Sequence, residues 1–180
     1  MITETQLDRL RYPIGKFKKP ETIDAPQRAE WINNIAEAPQ LFRNAVANLT
    51  PSQLQTPYRP GGWTVRQVIH HVADSHMNAL IRFKLALTEI NPTIKPYEEA
   101  LWAELADYKA PIENSLHILE ALHLRWVLIL QSMTEEDFKK TFYHPANKSQ
   151  STLETTLGMY VWHGGHHLAH ITELAKKEGW

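Results

Sequence analysis

The residues with the clearest chemical potential in this chain are its histidines. Of 180 residues, ten are histidine and none is cysteine. Four histidines lie within residues 163–170, namely His163, His166, His167 and His170. Without cysteine the chain can form neither a disulfide nor a cysteine nucleophile, and a transition-metal site must use imidazole and carboxylate ligands. The first question is therefore which histidines could bind a metal ion and which simply pack.

Two pairs in this cluster have the i, i+4 spacing that puts both side chains on one face of a helix. On a helix over residues 152–177, His163 and His167 border the apolar stripe most closely. The alternative pair, His166 and His170, points further toward the flank. Because two imidazoles one turn apart can bind one metal ion, we favour His163 and His167 as ligands.

The residues between His163 and His167 distinguish this pair from the two-histidine helix of metalloproteases. That helix carries a glutamate general base, whereas here Gly164, Gly165 and His166 occupy the intervening positions. Each glycine costs about 1 kcal/mol of helix propensity. Close approach of another helix or metal ligation could offset this cost.

A third ligand must come from another helix, and the candidates lie mainly in residues 65–88. Helical periodicity places His76 inside the apolar stripe, His71 at its edge and His70 almost opposite. The pattern therefore excludes His70 and leaves His71 and His76 open, with a slight preference for His76. His123 also faces inward, and we interpret it as a hydrogen-bonded core residue. For His76, the same interpretation is the alternative to metal ligation.

The sequence indicates the roles of the remaining polar residues less clearly. We expect His117 and His144 to lie on the surface or in a loop. Asp74 could orient an imidazole, although its helical position favours a surface carboxylate. Three arginines could bind a substrate carboxylate but are also typical of exposed helix surface: Arg66, Arg82 and Arg125. Four residues are candidates for lining a pocket at the metal site: His76, Tyr160, His166 and His170.

Four long helices must position these side chains. Helical apolar spacing covers residues 27–49, 64–88, 112–133 and 152–177, with no convincing strand alternation between them. Pro39 should kink the first helix or break it near Ala38. The fold predicted is all-α, a single four-helix-bundle domain over residues 1–180 with an extended N-terminal arm over residues 1–26. The two long connectors suggest a crossover topology or loops that cover a site.

Composition excludes several classes of function. The net charge of −1 gives no electrostatic basis for binding nucleic acid or an anionic membrane. The longest apolar run, residues 126–130, is far shorter than the ~20 residues that span a bilayer. The first residues show no secretory signal. We therefore expect a cytoplasmic protein without a membrane or nucleic-acid partner.

Four segments carry a resemblance to a known family. Residues 58–78 read YRPGGWTVRQVIHHVADSHMN, and residues 162–171 read WHGGHHLAHI. Together with IRFKL at 81–85 and LHLRW at 122–126, they resemble the YfiT-type metal-dependent hydrolases of the DinB-like superfamily, which also holds bacillithiol S-transferases. The similarity begins at residues 12–15, YPIG, and covers nearly the whole chain.

This resemblance implies a four-helix bundle that holds one divalent metal ion, zinc or nickel, and that forms a homodimer. The implied ligands are His71, His163 and His167, so the resemblance selects His71 where periodicity left His71 and His76 open. It also implies that the substrate is a small molecule.

Three functions are compatible with such a site. The first is a metal-dependent hydrolase that activates water. The second is a transferase that activates a low-molecular-weight thiol such as bacillithiol, and the thiol must then come with a substrate because the chain lacks cysteine. The third is a non-catalytic, metal-stabilised binding module of a stress response.

Overall fold

Four long helices dominate the architecture of this computed structural model, which describes residues 3–180. They are α2 (Ala25–Val46), α4 (Val65–Thr88), α6 (Ile112–Ser132) and α8 (Leu153–Glu178). The shorter helices are α1 (Glu4–Arg11), α3 (Pro51–Leu54), α5 (Glu99–Trp102) and α7 (Glu135–Lys139), and a 3₁₀ turn spans Ala106–Lys109. Two short strands, β1 (Thr141–His144) and β2 (Ser149–Thr152), precede α8.

The long helices form a four-helix bundle in which chain order and spatial order differ. Helix α2 packs against α6 and α8, and α4 packs against the same two helices. Helices α2 and α4, although consecutive long helices, therefore lie at opposite corners of the bundle. The connection over residues 47–64 must pass across one end of it. The four-helix-bundle prediction is confirmed. A crossover, which the sequence suggested with site-covering loops as the alternative, is present in this connection.

Helix α4 begins where the sequence predicts, because Thr64 forms a capping box with Gln67. The Gln67 backbone N–H donates to Thr64 Oγ1 at 3.2 Å, and the Thr64 N–H donates to Gln67 Oε1 at 3.0 Å. These two bonds satisfy donors that the first helical turn leaves unpaired. The cap fixes the start of the helix that carries His71, His76 and Arg82.

The predicted break near Ala38 is wrong, because α2 continues through Pro39 to Val46. Proline has no N–H to donate to the carbonyl four residues earlier, so the Ile35 carbonyl loses its usual helical partner. That carbonyl finds another donor, since His123 Nδ1 lies 2.5 Å from it. The side chain of a neighbouring helix thus takes the place of the missing backbone bond.

A β-hairpin that the sequence analysis missed lies in the connector before α8. Strands β1 and β2 are antiparallel, with Thr141 opposite Thr152 and His144 opposite Ser149. Their side chains are mostly polar and lack the alternating burial that marks a strand in sequence. The hairpin also holds the connector between α4 and α6, because the Tyr143 N–H donates to the Pro92 carbonyl at 2.9 Å.

The N-terminal arm is not wholly extended, which corrects the prediction for residues 4–11. Thr3 and Gln6 form a capping box that starts α1, and this helix ends before Pro13, so the prolines do not interrupt it. Residues after α1 lie along α8, where Trp162 Nε1 donates to the Gly15 carbonyl at 3.0 Å. Residues 1 and 2 of the predicted arm lie outside the described residues.

Within residues 3–180, the structure contains no helix with the length and apolar character needed to span a membrane.

Candidate metal centre

Three imidazoles from two packed helices meet at the centre of the candidate site. His71 projects from α4, and His163 and His167 project from successive turns of α8. One ring nitrogen from each of the three lies within 4.8 Å of the others. His71 Nε2 and His163 Nε2 are 3.3 Å apart.

This spacing fits one metal ion. Two ligand nitrogens that each lie about 2.0–2.1 Å from a tetrahedral ion are separated by about 3.4 Å. The separation of His71 Nε2 and His163 Nε2 agrees with that value. The three residues can therefore hold a divalent ion after small adjustments of their side chains.

The protonation state of the three imidazoles also suits metal binding. Burial lowers the pKa of His71 to about 4. Burial likewise lowers the pKa values of His163 and His167 well below that of an ordinary histidine, with further lowering from the neighbouring imidazoles. All three rings are therefore neutral at pH 7 and keep the lone pair that a metal ion requires.

The three rings form one wall of a cavity of about 550 Å³. Of the four residues predicted to line it, Tyr160 and His166 do so. His76 is completely buried behind His163, with its Nε2 3.4 Å from His163 Nδ1. His170 borders a different cavity, and its Nε2 lies 3.1 Å from the Arg11 carbonyl.

His70 is not among the three converging imidazoles, as periodicity indicated, but it is buried and not exposed on the side opposite the core. Its Nδ1 lies 2.7 Å from Ser115 Oγ, and its Nε2 lies 3.2 Å from the Ala110 carbonyl. His70 is buried because the connector between α4 and α6 covers a second face of α4. His70 is turned away from the three converging imidazoles and serves packing.

The other polar candidates fall into different environments. Arg82 lines the cavity and donates to the Tyr160 hydroxyl at 3.1 Å. Arg66 donates to the Ala110 carbonyl at 2.8 Å, and Arg125 is exposed on α6. Asp74 accepts a hydrogen bond from Tyr108 at 2.7 Å.

The histidines assigned to packing or to the surface are found in three settings. His123 is a buried, hydrogen-bonded core residue, in agreement with the interpretation from sequence. His117 is exposed, as expected. His144 is in strand β1, yet its side chain lines the cavity.

Several cavity residues were not identified from sequence. Trp63 packs against His71 with ring centroids 4.6 Å apart, and Ser75 Oγ lies 3.5 Å from His163 Nε2. Tyr97 reaches the cavity from the connector after α4, and His144 reaches it from the hairpin. Only Ser75 carried a signal, because it lies one turn beyond His71 on the same helix.

Gly164 and Gly165, between His163 and His167, are not required by steric contacts. A Cβ atom at Gly164 would lie 3.6 Å from His76 Cε1, and one at Gly165 would lie 3.6 Å from Ile14 Cδ1. Both are ordinary contact distances. The close helix approach considered from sequence instead occurs at Gly158, where a Cβ atom would lie 2.6 Å from the Trp31 ring.

Comparison with known proteins identifies similar chains. The family model of the DinB superfamily matches residues 34–171, a segment that contains all three converging histidines. The chain is 54% identical to YfiT of Bacillus subtilis, named provisionally as a metal-dependent hydrolase, over 95% of this chain and 97% of that protein. It is 55% identical to a protein of Oceanobacillus iheyensis with the same provisional name, over 94% of this chain and 98% of that protein.

A solved structure shows that the similarity extends to the fold. The structure of Bacillus subtilis YfiT, described as having an unusual four-helix bundle topology, matches with a TM-score of 0.94 and 54% identity. The match covers 96% of this chain and 99% of that chain.

Proposed function

Because the chain belongs to the DinB superfamily, we propose that it is a metal-dependent hydrolase of a small molecule, with one divalent metal ion held by His71, His163 and His167. The observation that carries this proposal is the convergence of three neutral imidazoles within 4.8 Å at the wall of a cavity. The names of the relatives support the reaction class.

The ligand set favours catalysis over a purely structural role. Structural zinc sites are usually closed by four protein ligands, whereas three neutral ligands leave the full divalent charge and an open coordination position. A divalent ion held there would act as a Lewis acid and make bound water available as a nucleophile near neutral pH. Zinc suits imidazole ligands, and nickel is the alternative.

The chain's own residues define where a substrate can lie. The indole of Trp63 covers His71 on one side, with ring centroids 4.6 Å apart, which limits access of solvent. Ser75 Oγ lies 3.5 Å from His163 Nε2 and offers a hydroxyl beside the reacting position. Arg82 and Tyr97 lie on the cavity wall. A small molecule in this cavity would therefore contact the ligand cluster and polar donors together.

The test is a set of hydrolysis assays on the zinc-loaded protein, with ester, amide and phosphoester substrates measured before and after chelation. The proposal predicts turnover that chelation abolishes and that His163→Ala lowers by more than about a hundredfold. The control His117→Ala, on the exposed surface of α6, should retain full turnover.

A second set of assays separates hydrolysis from its alternatives. The same protein is incubated with an alkylating electrophile, with and without bacillithiol, and the products are identified by mass spectrometry. Conjugation that requires the thiol, with no hydrolysis product, would assign a thiol S-transferase instead. Metal-dependent stability without turnover in either set would assign a non-catalytic binding module.

We also propose that two copies form a homodimer. Helix α6 presents Leu124 and Leu128 to solvent, 72% and 68% exposed, and Leu41 of α2 is 45% exposed. Such leucines favour burial against another protein surface. Light scattering should give twice the chain mass, and Leu124→Glu should shift it to the monomer mass.

A further inference from the structure

A chain of hydrogen bonds, two of them buried and the last part-buried, runs from the helix α2 backbone to one of the proposed metal ligands. His123 Nδ1 lies 2.5 Å from the Ile35 carbonyl, and His123 Nε2 lies 2.8 Å from His76 Nδ1. His76 Nε2 lies 3.4 Å from His163 Nδ1. We refer to His123, His76 and His163 as the histidine relay.

The direction of every bond in the histidine relay follows from its first acceptor. A carbonyl oxygen only accepts, so His123 must carry its proton on Nδ1. His123 and His76 are almost completely buried, and no ion pair formed by residues 3–180 includes either ring, so both rings are neutral and have one N–H each. His123 Nε2 therefore accepts from His76 Nδ1, and His76 Nε2 accepts from His163 Nδ1.

The last bond leaves His163 with its proton on Nδ1 and its lone pair on Nε2, the nitrogen that lies 3.3 Å from His71 Nε2. We propose that His76 and His123 are positioning residues that fix this tautomer and ring orientation of His163 before a metal ion binds. His163 is the only one of the three converging histidines with such support in residues 3–180. The Nδ1 atoms of His71 and His167 are buried without a hydrogen-bond partner among these residues.

The proposal also gives Pro39 a role. In an uninterrupted helix, the N–H of residue 39 would donate to the Ile35 carbonyl, and proline removes that donor. The carbonyl is then free to accept from His123. A proline in the interior of α2, which ordinarily costs helix stability, thus supplies the acceptor that starts the relay.

The first test reads the tautomers directly. Long-range ¹H–¹⁵N NMR on the metal-free protein at pH 7.5 should show the proton on Nδ1 in His123, His76 and His163. Free histidine in water favours the proton on Nε2. An Nε2–H tautomer at His76 or His163 would overturn the proposal, whether or not the protein binds metal.

The variant series tests the consequence for metal binding, which rests on the proposed function. His76→Phe removes the acceptor of the His163 Nδ1–H, so the proton of His163 is no longer held on Nδ1. Zinc binding should weaken by about 10–100-fold. His76→Gln retains an acceptor and a donor and should recover part of the affinity. His70→Phe, another buried histidine of α4, is the structural control and should leave the His163 tautomer unchanged.

Two outcomes of this series contradict the relay. The first is a His76→Phe protein that retains the Nδ1–H tautomer of His163 and binds zinc within about twofold of wild type. The second is an unchanged His123 Nδ1–H resonance in Pro39→Ala, which keeps every histidine but restores the competing backbone N–H of residue 39. The expected result is an upfield shift of that resonance, and its absence would contradict the role of Pro39.

An independent observation concerns Arg82, which lines the same cavity and has no acidic partner among residues 3–180. One of its N–H groups donates to the Tyr160 hydroxyl at 3.1 Å. Among the ion pairs formed by residues 3–180, none includes Arg82. A partly buried guanidinium therefore faces the cavity with its positive charge unmatched.

The neighbours of Arg82 are also hydrogen-bond donors. Burial raises the pKa of Tyr97 to about 12 and raises that of Tyr160 as well, so both phenols keep their protons at pH 7. His144 Nδ1 accepts from the Asn147 N–H at 3.3 Å. Burial, and secondarily the nearby Arg82, lower the pKa of His144, so the ring is neutral and its proton is on Nε2.

The geometry points to an oxyanion subsite formed by Arg82, Tyr97 and His144, which would bind a carboxylate or phosphate group of the substrate. The carboxylates that also border the cavity, Glu98 and Glu99, are on its exposed rim. This assignment rests on the proposed function and extends it, because it predicts that the substrate carries an anionic group that lies beside the three histidines.

Metal-free protein separates this subsite from the metal site. Acetate and inorganic phosphate are titrated while the ¹⁵Nε resonance of Arg82 is followed, with neutral acetamide as the matched control. Saturable shifts are expected with at least one anion and none with acetamide, and the tighter anion identifies the class. Arg82→Gln should weaken binding about tenfold or more, whereas Arg125→Gln, exposed on α6, should not.

Absence of saturable binding by either anion in wild type would overturn the subsite, as would equal binding by Arg82→Gln and wild type. Both results are independent of whether a metal ion binds, so the proposed function would remain open to its own test.

Discussion

At the scale of single residues, the environment of each side chain determines what it can contribute. His71, His163 and His167 have the same side chain as His70 and His170, yet only the first three converge within 4.8 Å. His70 and His170 instead pair with backbone carbonyls of Ala110 and Arg11. The difference arises from where neighbouring segments place acceptors.

A residue-scale prediction concerns the ion pairs of two arginines of α2. Arg28 is 7% exposed and pairs with Glu135 and with Glu154, the latter at 2.6 Å. Arg28→Ala should lower the free energy of unfolding by about 3 kcal/mol, because it leaves the partly buried Glu154 carboxylate uncompensated. Urea denaturation measures the change.

The matched control is Arg43→Ala, which breaks a half-exposed pair with Glu120 at 2.6 Å. Solvent screening makes its cost clearly smaller than that of Arg28→Ala. Equal losses for the two variants would show that burial does not decide the strength of these pairs.

The sequence predicted some of these residues for sound physical reasons. The i, i+4 spacing brings His163 and His167 to one face whatever the rest of the fold does. The choice between His71 and His76 could not follow from spacing, because it depends on which faces of α4 are covered. Arg82 likewise could not be separated from exposed arginines without knowing that Tyr97 and the hairpin enclose it.

At the scale of helices and strands, the connectors between the long helices complete the site. The cap at Thr64 fixes the start of α4, and the hairpin brings His144 to the cavity while holding the connector that carries Tyr97. The long helices were predictable because their apolar spacing has the helical period. The hairpin was not, because its strands are polar, and α1 was missed although Thr3 and Gln6 carry a capping signal.

An element-scale prediction compares two glycines of α8. Gly158→Ala should destabilise the fold by about 1–3 kcal/mol, since a Cβ atom would lie 2.6 Å from the Trp31 ring and force α2 and α8 apart. Gly165→Ala should stabilise it by up to about 1 kcal/mol, because the new methyl group has room and helix propensity improves. Thermal and urea unfolding measure both.

Opposite signs for the two variants are the expected result. Stabilisation by Gly158→Ala would refute the close packing of α2 and α8 at this position.

At the scale of the whole molecule, buried neutral histidines link folding to pH. The pKa of His123 is lowered from 6.5 to about 4 by burial, so between these values the unfolded chain binds more protons than the folded protein. Stability therefore rises with pH in this window and is lost as pH falls. His123 alone should contribute on the order of 3 kcal/mol across the window.

Urea unfolding of the metal-free protein at several pH values between 7.5 and 4.5 checks this prediction. His123→Gln should reduce the slope of stability against pH by about one proton, whereas His117→Gln should leave it unchanged. A His123→Gln protein with the wild-type slope would exclude His123 as a source of the acid sensitivity.

Metal content shows whether His71, His163 and His167 hold one metal ion. Wild-type protein and single alanine variants at these three positions are loaded with zinc, desalted and analysed by atomic emission. The control is His70→Ala, at the position next to His71. The account predicts one zinc ion per chain in wild type and in His70→Ala, and loss of zinc in the other three. Stoichiometric zinc in all three variants, or its loss from His70→Ala alone, would refute the three-histidine metal site.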